Sequence, residues 1–324
     1  MDLGKVGVVF NGGGFSGAFS VGFARAIWEL GIKPEHIQGV SVGTLNAAKI
    51  IESGVKGLEH VWLDIEKDGA SSIFNWMDIA PNVLKRSNAL FYQKGLLRIV
   101  NGIDIAKIVQ SPINLQIVTC NEFKDEQEEI FHNHDPRFQE NPELFRKTIL
   151  ASTAIPGILP PIEINGEEHS DGVFFQLEPL ISAGCDTIFL LLNDQAAERK
   201  ARWDKRLAQE RHKLYEKVVI AELKEILIKH KDYQVYAPDD LDLEQKNLPS
   251  LVRKMITAEK SIRSTLISAA KGDDINFVPH RIIILYTEAP ISALYTTGFA
   301  RGDIKTAINV GYVQAKNILT KALK

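Results

Sequence analysis

The sequence predicts an α/β fold in which a mostly parallel central sheet carries helices on both faces and is interrupted by a helical insertion. Three observations predict it. A β-branched run, Val6 to Phe10, passes through a glycine cluster into a helical pattern over 17–30 and then into a second short apolar run, Ile37 to Val40; strand and helix in alternation are the mark of parallel β-α-β units. Ile188 to Leu192 and Arg281 to Tyr286 read as buried strands of the same sheet. Between them, a charged stretch over 196–275 has helical periodicity, so the sheet resumes after an interruption.

Each element follows from local chemistry. The helix over 17–30 ends at Gly31, and a second helix, Thr44 to Ile51, leaves directly from Ser41-Val42-Gly43. Leu58 to Ile113 is helical and irregular, with Trp62, Phe74, Trp76, Phe91 and Tyr92 as expected core anchors. Leu115 to Cys120 and Glu129 to His132 read as strands. Asn141 caps and Pro142 opens a helix reaching Ala151, and Pro156, Pro160 and Pro161 end it. Pro161 to Glu168 alternates about Asn165-Gly166, a type I′ hairpin signal whose return limb runs into Ser170-Asp171-Gly172. Over 196–232 eleven Lys/Arg stand against seven Asp/Glu, a local +4, while Trp203, Leu207, Leu214, Val218 and Leu223 or Ile226 recur at helical spacing. A loop through Asp239-Asp240 leads to another helix over 250–270, and the last helix is Asp303 to Ala322.

Composition narrows the function classes. The 324 residues are 45% hydrophobic, 24% charged and 8% aromatic, ordinary globular values that exclude disordered and collagen-like chains. A net charge of −3 gives no global basic field for nucleic acid. Cys120 and Cys185 are too few and too far apart for a structural zinc, and a reducing compartment is expected. No apolar run approaches the ~20 residues of a membrane helix, and Val6 to Phe10 is too short for a signal-peptide core. The expected location is cytoplasmic, with peripheral contact at membranes.

Three motifs carry chemistry. Gly12, Gly14 and Gly17 formally satisfy GxGxxG after a strand, yet the second strand ends in Ser41 rather than in the acid a dinucleotide site needs; the nearest acid, Glu35, precedes that strand. Gly39-Val40-Ser41-Val42-Gly43 is a GxSxG between strand and helix, where a sharp turn exposes a serine beneath a helix N-terminus. The glycine triplet can turn free N–H groups toward the same spot, as a developing oxyanion requires. Asp171-Gly172 follows the hairpin, where a carboxylate can project from a strand end; a turn aspartate bonding its own backbone is the ordinary reading of such a pair.

Together these pieces resemble the patatin-like phospholipases. The similarity lies in the glycine loop (Gly12 to Gly17), the elbow (Gly39 to Gly43), Ala151-Ser152-Thr153-Ala154-Ile155-Pro156-Gly157 and the later Asp171-Gly172, over about residues 5–195, with an echo at Gly311-Tyr312. The resemblance implies a three-layer α/β/α fold and a serine hydrolase that cleaves fatty-acyl esters of phospholipids or related lipids without metal or organic cofactor. It implies Ser41 as nucleophile, Asp171 as base, Gly12, Gly13 and Gly14 as oxyanion hole, and Gly17, Gly39, Gly43 and Gly172 as supports of these motifs. Two positions depart from the family pattern: Ser16 stands where Arg or Lys is usual, and Val173 where Gly or Ala is common. Other readings stay open: a Ser-His-acid triad using His169 or His280, transfer to an acceptor other than water, and a non-catalytic lipid-binding or partner-binding member. The expected organisation is an α/β catalytic domain of 5–195 plus 276–324, with 196–275 as a lid or membrane-interface element. Its basic part, 196–232, has two readings, an ordinary charged surface helix packed by Trp203, Leu207, Leu214 and Val218, or a peripheral contact with anionic membranes; nucleic acid is not an expected partner.

Overall fold

The computed structural model describes residues 2–85, 89–122, 127–172, 174–193, 222–223, 225–226, 228–230, 233–236, 280–285 and 299–323. Val173, the amphipathic pattern over 196–220 and the helix expected over 250–270 lie outside them. Among the described residues nine strands form one sheet: β1 (Val6–Phe10), β2 (His36–Val40), β3 (Asn114–Asn121), β4 (Gln127–His132), β5 (Ile162–Ile164), β6 (Glu167–Asp171), β7 (Thr187–Leu191), β8 (Gln234–Tyr236) and β9 (Arg281–Leu285). Their order is β5-β6-β3-β2-β1-β7-β9-β8, with β4 also paired to β3. The central and β7–β9 side is parallel, while β4, β5 and β6 join in antiparallel fashion.

Strand alternation divides the interior into two cores, one on each face. Val8, Phe10, Phe189, Ile283 and Leu285 face the helices α1 (Ala18–Glu29), α2 (Val42–Asp68), α7 (Pro142–Ala151) and α9 (Asp303–Ala322). Val9, Ile188, Leu190, Ile282 and Ile284 face the other layer, made of α8 (Glu178–Ser182) and the helical residues around Leu223 and Ile226. The result is the three-layer arrangement expected from the sequence. Helices α1 and α9 cross at Gly22 and Gly311, where a Cβ on Gly22 would overlap the Ile308 carbonyl; the pair therefore packs backbone against backbone, which accounts for the glycine at 311.

Several elements differ from the sequence expectation. The second helix is interrupted at Gly54, whose φ 70° and ψ −177° are not helical, and a further helical stretch follows it to Asp68, so α2 is two helical stretches joined at that glycine. The irregular stretch after it resolves into α3 (Ile79–Leu84), α4 (Lys94–Asn101) and α5 (Ile105–Val109). Trp62, Phe74 and Phe91 are buried as expected, whereas Tyr92 is on the surface, 36% exposed. The segment expected to be a helical insertion also contains β8, which pairs with β9 in parallel. Asn165 and Gly166 both have positive φ, as the type I′ turn between β5 and β6 requires.

The register of β3 positions the site. One edge of β3 carries β4 over residues 116–121; the opposite edge pairs first with β2 through Val118 and then with β6 from Thr119 onward. Strands β2 and β6 are thus laid end to end along one edge of β3, running toward each other. The last residue of β2, Val40, pairs with Val118, and the last of β6, Asp171, with Thr119. Sheet register alone brings the residue after Val40 against Asp171.

Candidate active site

That residue is Ser41. It sits between β2 and α2 at φ 55° and ψ −131°, a strained conformation for a side chain with a Cβ. The turn is possible because its neighbours are glycines: a Cβ on Gly43 would overlap the Phe10 carbonyl, and one on Gly39 would lie 2.5 Å from Thr44 Cα. The Ser41 hydroxyl donates to Asp171 Oδ2 at 2.8 Å. The other oxygen, Asp171 Oδ1, is buried and has no hydrogen-bond partner among the described residues. Burial pushes the Asp171 carboxyl well above the usual carboxylate range, and the Ser41 hydrogen bond opposes that shift only in part.

Ser152 ties the elbow to the sheet. Its hydroxyl donates to Val118 O at 2.7 Å, accepts from the Ser41 N–H at 3.1 Å and meets Thr44 Oγ1 at 2.7 Å. A hydroxyl has one proton to give, so Thr44 is the donor in the third contact. The segment after Asp171 is fixed separately. Gln38 Oε1 accepts from Gln176 N–H at 2.7 Å, Gln38 Nε2 donates to Gln176 O at 2.8 Å, and Glu128 accepts from Phe174 N–H at 2.9 Å.

The glycine loop follows β1 where the chain's strand order turns from β2 to β7, the crevice in which α/β sheets bind ligands. Gly13 and Gly14 have φ of 135° and 58°. Among the described residues the N–H groups of Gly12, Gly13, Gly14 and Val42 donate no hydrogen bond, and a Cβ on Gly12 would lie 3.1 Å from Ser41 Cβ. Asn193 pins the loop from β7: its Nδ2 donates to Asn11 O at 2.7 Å, and its Oδ1 accepts from Ser20 Oγ at 2.6 Å. Gly17 packs against Val42 and Trp62, and Gly172 against the Val118 carbonyl. Ser16 is buried, so no charge faces the loop from that position.

An apolar cavity opens at Ser41. Gly14, Leu45, Trp62, Phe74, Leu96 and Ile99 are among its walls, and Trp62 is fixed by donating to Asn46 Oδ1 at 2.8 Å. Neither histidine of the triad reading bonds Ser41. His169 Nδ1 meets Thr119 Oγ1 at 3.0 Å. His280 pairs with Asp186 at 3.0 Å beside the first residue of β9, at the opposite end of the strands, a strand length of about 16 Å away. Glu129, Glu167 and His169 bring ligand atoms within 4.8 Å of one another, and Asn121 Nδ2 donates to both carboxylates at 3.1 and 2.7 Å. Ser152, Asn193, Gln38 and Glu128 went unassigned in the sequence. Ser152 alone had a signal, lying in the Ala151 to Gly157 segment.

A family model described as patatin-like phospholipase matches residues 8–183, more than half of the chain. No curated protein matches the sequence. The crystal structure of VipD from Legionella pneumophila aligns with a TM-score of 0.45 at 14% identity, over 99% of this chain and 67% of that one. The family match spans β1, the glycine loop, the elbow, Ser152 and Asp171, and on it the chain belongs to the patatin-like phospholipases, a family of lipid acyl hydrolases.

Proposed function

We propose that the protein hydrolyses fatty-acyl esters of phospholipids or related lipids with Ser41 as nucleophile and Asp171 as base. The observation that carries this reading is the 2.8 Å bond from Ser41 Oγ to a buried carboxylate at the mouth of an apolar cavity. An ordinary aspartate, near ~3.9, is a weak base toward a serine hydroxyl; burial raises its basicity in the place where it is needed.

In the first half-reaction Ser41 Oγ attacks the ester carbonyl while its proton passes to Asp171 Oδ2. The oxyanion is held by N–H groups of Gly12, Gly13 and Gly14, aided by the N-terminus of α2, where each donor contributes about 10²–10³ in rate. Collapse expels the alcohol, which takes the proton from Asp171 and leaves the acyl chain on Ser41 in the apolar cavity. Water then attacks the acyl-enzyme, gives a proton to Asp171 and releases the fatty acid, and that proton returns to Ser41. No step needs a metal or an organic cofactor.

The test is turnover of a chromogenic acyl ester by wild type, Ser41→Ala and Asp171→Asn, with fluorophosphonate labelling of Ser41. Both variants should lose turnover, and Ser41→Ala should lose the label. Wild-type rates in either variant would overturn the dyad.

A further inference from the structure

The nine large apolar side chains that are exposed among the described residues are unevenly spread. Six of them, Met77, Val83, Leu84, Leu90, Tyr92 and Leu97, lie in one stretch, while Leu30, Ile228 and Val313 are scattered. Met77 is 81% and Leu84 85% exposed, values at which a side chain gains nothing from the fold. The stretch is held together as one surface. Asn82 Nδ2 donates to Leu90 O at 3.0 Å and Tyr92 N–H to Asp78 Oδ2 at 3.4 Å, so α3 lies against the returning chain.

The inner side of this same segment is the wall of the cavity at Ser41. Ile73, Phe74, Leu96 and Ile99 line that cavity. Phe74 packs edge-on against Phe91 at 5.4 Å and against Phe15 of the glycine loop at 5.9 Å. Leu90 N–H donates to Gly157 O and Phe91 N–H to Ile158 O, next to Ile155 in the cavity wall. One layer of chain therefore separates an exposed apolar surface from the acyl cavity. Its charge has one sign as well: residues 77–97 carry Lys85, Arg86 and Lys94 against Asp78 alone, a local +2 in a chain of −3, while Arg98 just beyond is paired with Asp68.

We propose that the surface formed by Met77, Val83, Leu84, Leu90, Tyr92 and Leu97 is where the protein meets a lipid bilayer, these apolar side chains entering the acyl boundary and the exposed Lys85 and Lys94 among them meeting anionic headgroups. This rests on the reading of Ser41 as the nucleophile of a lipid hydrolase, because the surface gains its meaning from the cavity behind it. A bilayer fits better than a protein partner: Met77 and Leu84 stand almost fully exposed, and the excess charge has the sign that anionic lipid attracts. The surface is distinct from the basic 196–232 stretch, to which the sequence alone had pointed.

Vesicle binding tests it with the Ser41→Ala protein, which cannot consume the lipid. Vesicles of phosphatidylcholine with and without phosphatidylglycerol are sedimented with Ser41→Ala alone and with Met77→Ser, Leu84→Ser or both added. Each single change should lower partitioning by roughly ten-fold and the pair by roughly a hundred-fold, since each removes a side chain whose burial is worth about one such factor. Salt should weaken binding only to the phosphatidylglycerol vesicles. In the Ser41 background the double variant should lose turnover of vesicle phospholipid while hydrolysing a soluble short-chain ester at the wild-type rate.

Vesicle binding and vesicle turnover unchanged in the double variant would overturn the proposal. So would a concentration-dependent dimer that the double variant dissolves with no change in vesicle binding, which would make the surface an interface between copies. Loss of vesicle binding in a protein whose wild type hydrolyses no ester would uphold the surface and refute the hydrolase reading instead.

Discussion

Replacing Ser152 by alanine tests whether the elbow is held from outside its own motif. The Ser152 hydroxyl is fully buried and accepts two hydrogen bonds, from Ser41 N–H and from Thr44 Oγ1, while donating one to Val118 O. Alanine fills the same space but leaves two buried donors without an acceptor, each costing about 1–3 kcal/mol. The Thr44 hydroxyl can rotate to recover part of this, so the expected loss is about 3 kcal/mol, or roughly a hundred-fold in the folding equilibrium. With a urea m-value of about 3 kcal/mol/M the unfolding midpoint should fall by about 1 M. The Ser41 N–H is also the anchor of a residue at φ 55°, a conformation that stores about 1–3 kcal/mol and persists only while its surroundings hold it. Release of that anchor should lower kcat on a soluble acyl ester by about ten-fold or more and leave KM nearly unchanged, because the acyl cavity is untouched. A midpoint and a kcat both equal to wild type would refute the idea that Ser152 positions the nucleophile.

Further outcomes follow from burial. Asp171 is held well above the usual carboxylate range by burial, so the folded protein binds a proton there more tightly than the unfolded chain does. Its contribution to stability is full below about pH 4 and is lost as pH rises through the raised value; Asp171→Asn should therefore unfold at higher denaturant than wild type at neutral pH, while showing no such advantage in acid. The same shift places the acid limb of the kcat/KM profile above the ordinary carboxylate range, since the base must be ionised. Burial also pushes the Cys185 thiol up to about 12, and iodoacetamide at pH 8 should label Cys185 only after unfolding; fast labelling of the native protein would contradict the burial.

Much of the fold was legible because its signals are local. The Asn165-Gly166 turn, the Asn141 cap with Pro142 behind it, and the start and end of the last helix are each set by a few adjacent residues, and all three match the structure. The elbow and glycine loop were legible for the same reason. Hidden from the sequence was everything decided by register. Nothing local in Thr119 or Val118 tells that β2 and β6 meet end to end on β3, so Asp171 could be chosen only by resemblance, with a backbone-bonded turn aspartate as the ordinary alternative. Ser152, Asn193 and Gln38 act across separations of 111, 182 and 138 residues and carry no periodic signal. Tyr92 misled for a different reason: an aromatic beside Phe91 reads as core, yet in this irregular stretch ahead of α4 Phe91 is the one that packs against Phe74, while Tyr92 is left on the surface.

On the proposal that Asp171 is the base, the end-to-end meeting of β2 and β6 supplies its positioning. A histidine base needs a third group to orient its ring and choose its tautomer. An aspartate at the last position of a strand needs no such partner, because the sheet fixes it: Asp171 N–H donates to Ala154 O at 3.0 Å, and its strand is paired at Thr119. The requirement that would remain is basicity, which burial raises, and among the described residues Oδ1 has no hydrogen-bond partner to oppose it. Any added donor to that oxygen would then lower the basicity that burial raises. Substitutions beside Asp171 should accordingly be judged by whether they bring a hydrogen-bond donor or water to Oδ1, and an apolar Val173 brings no side-chain donor.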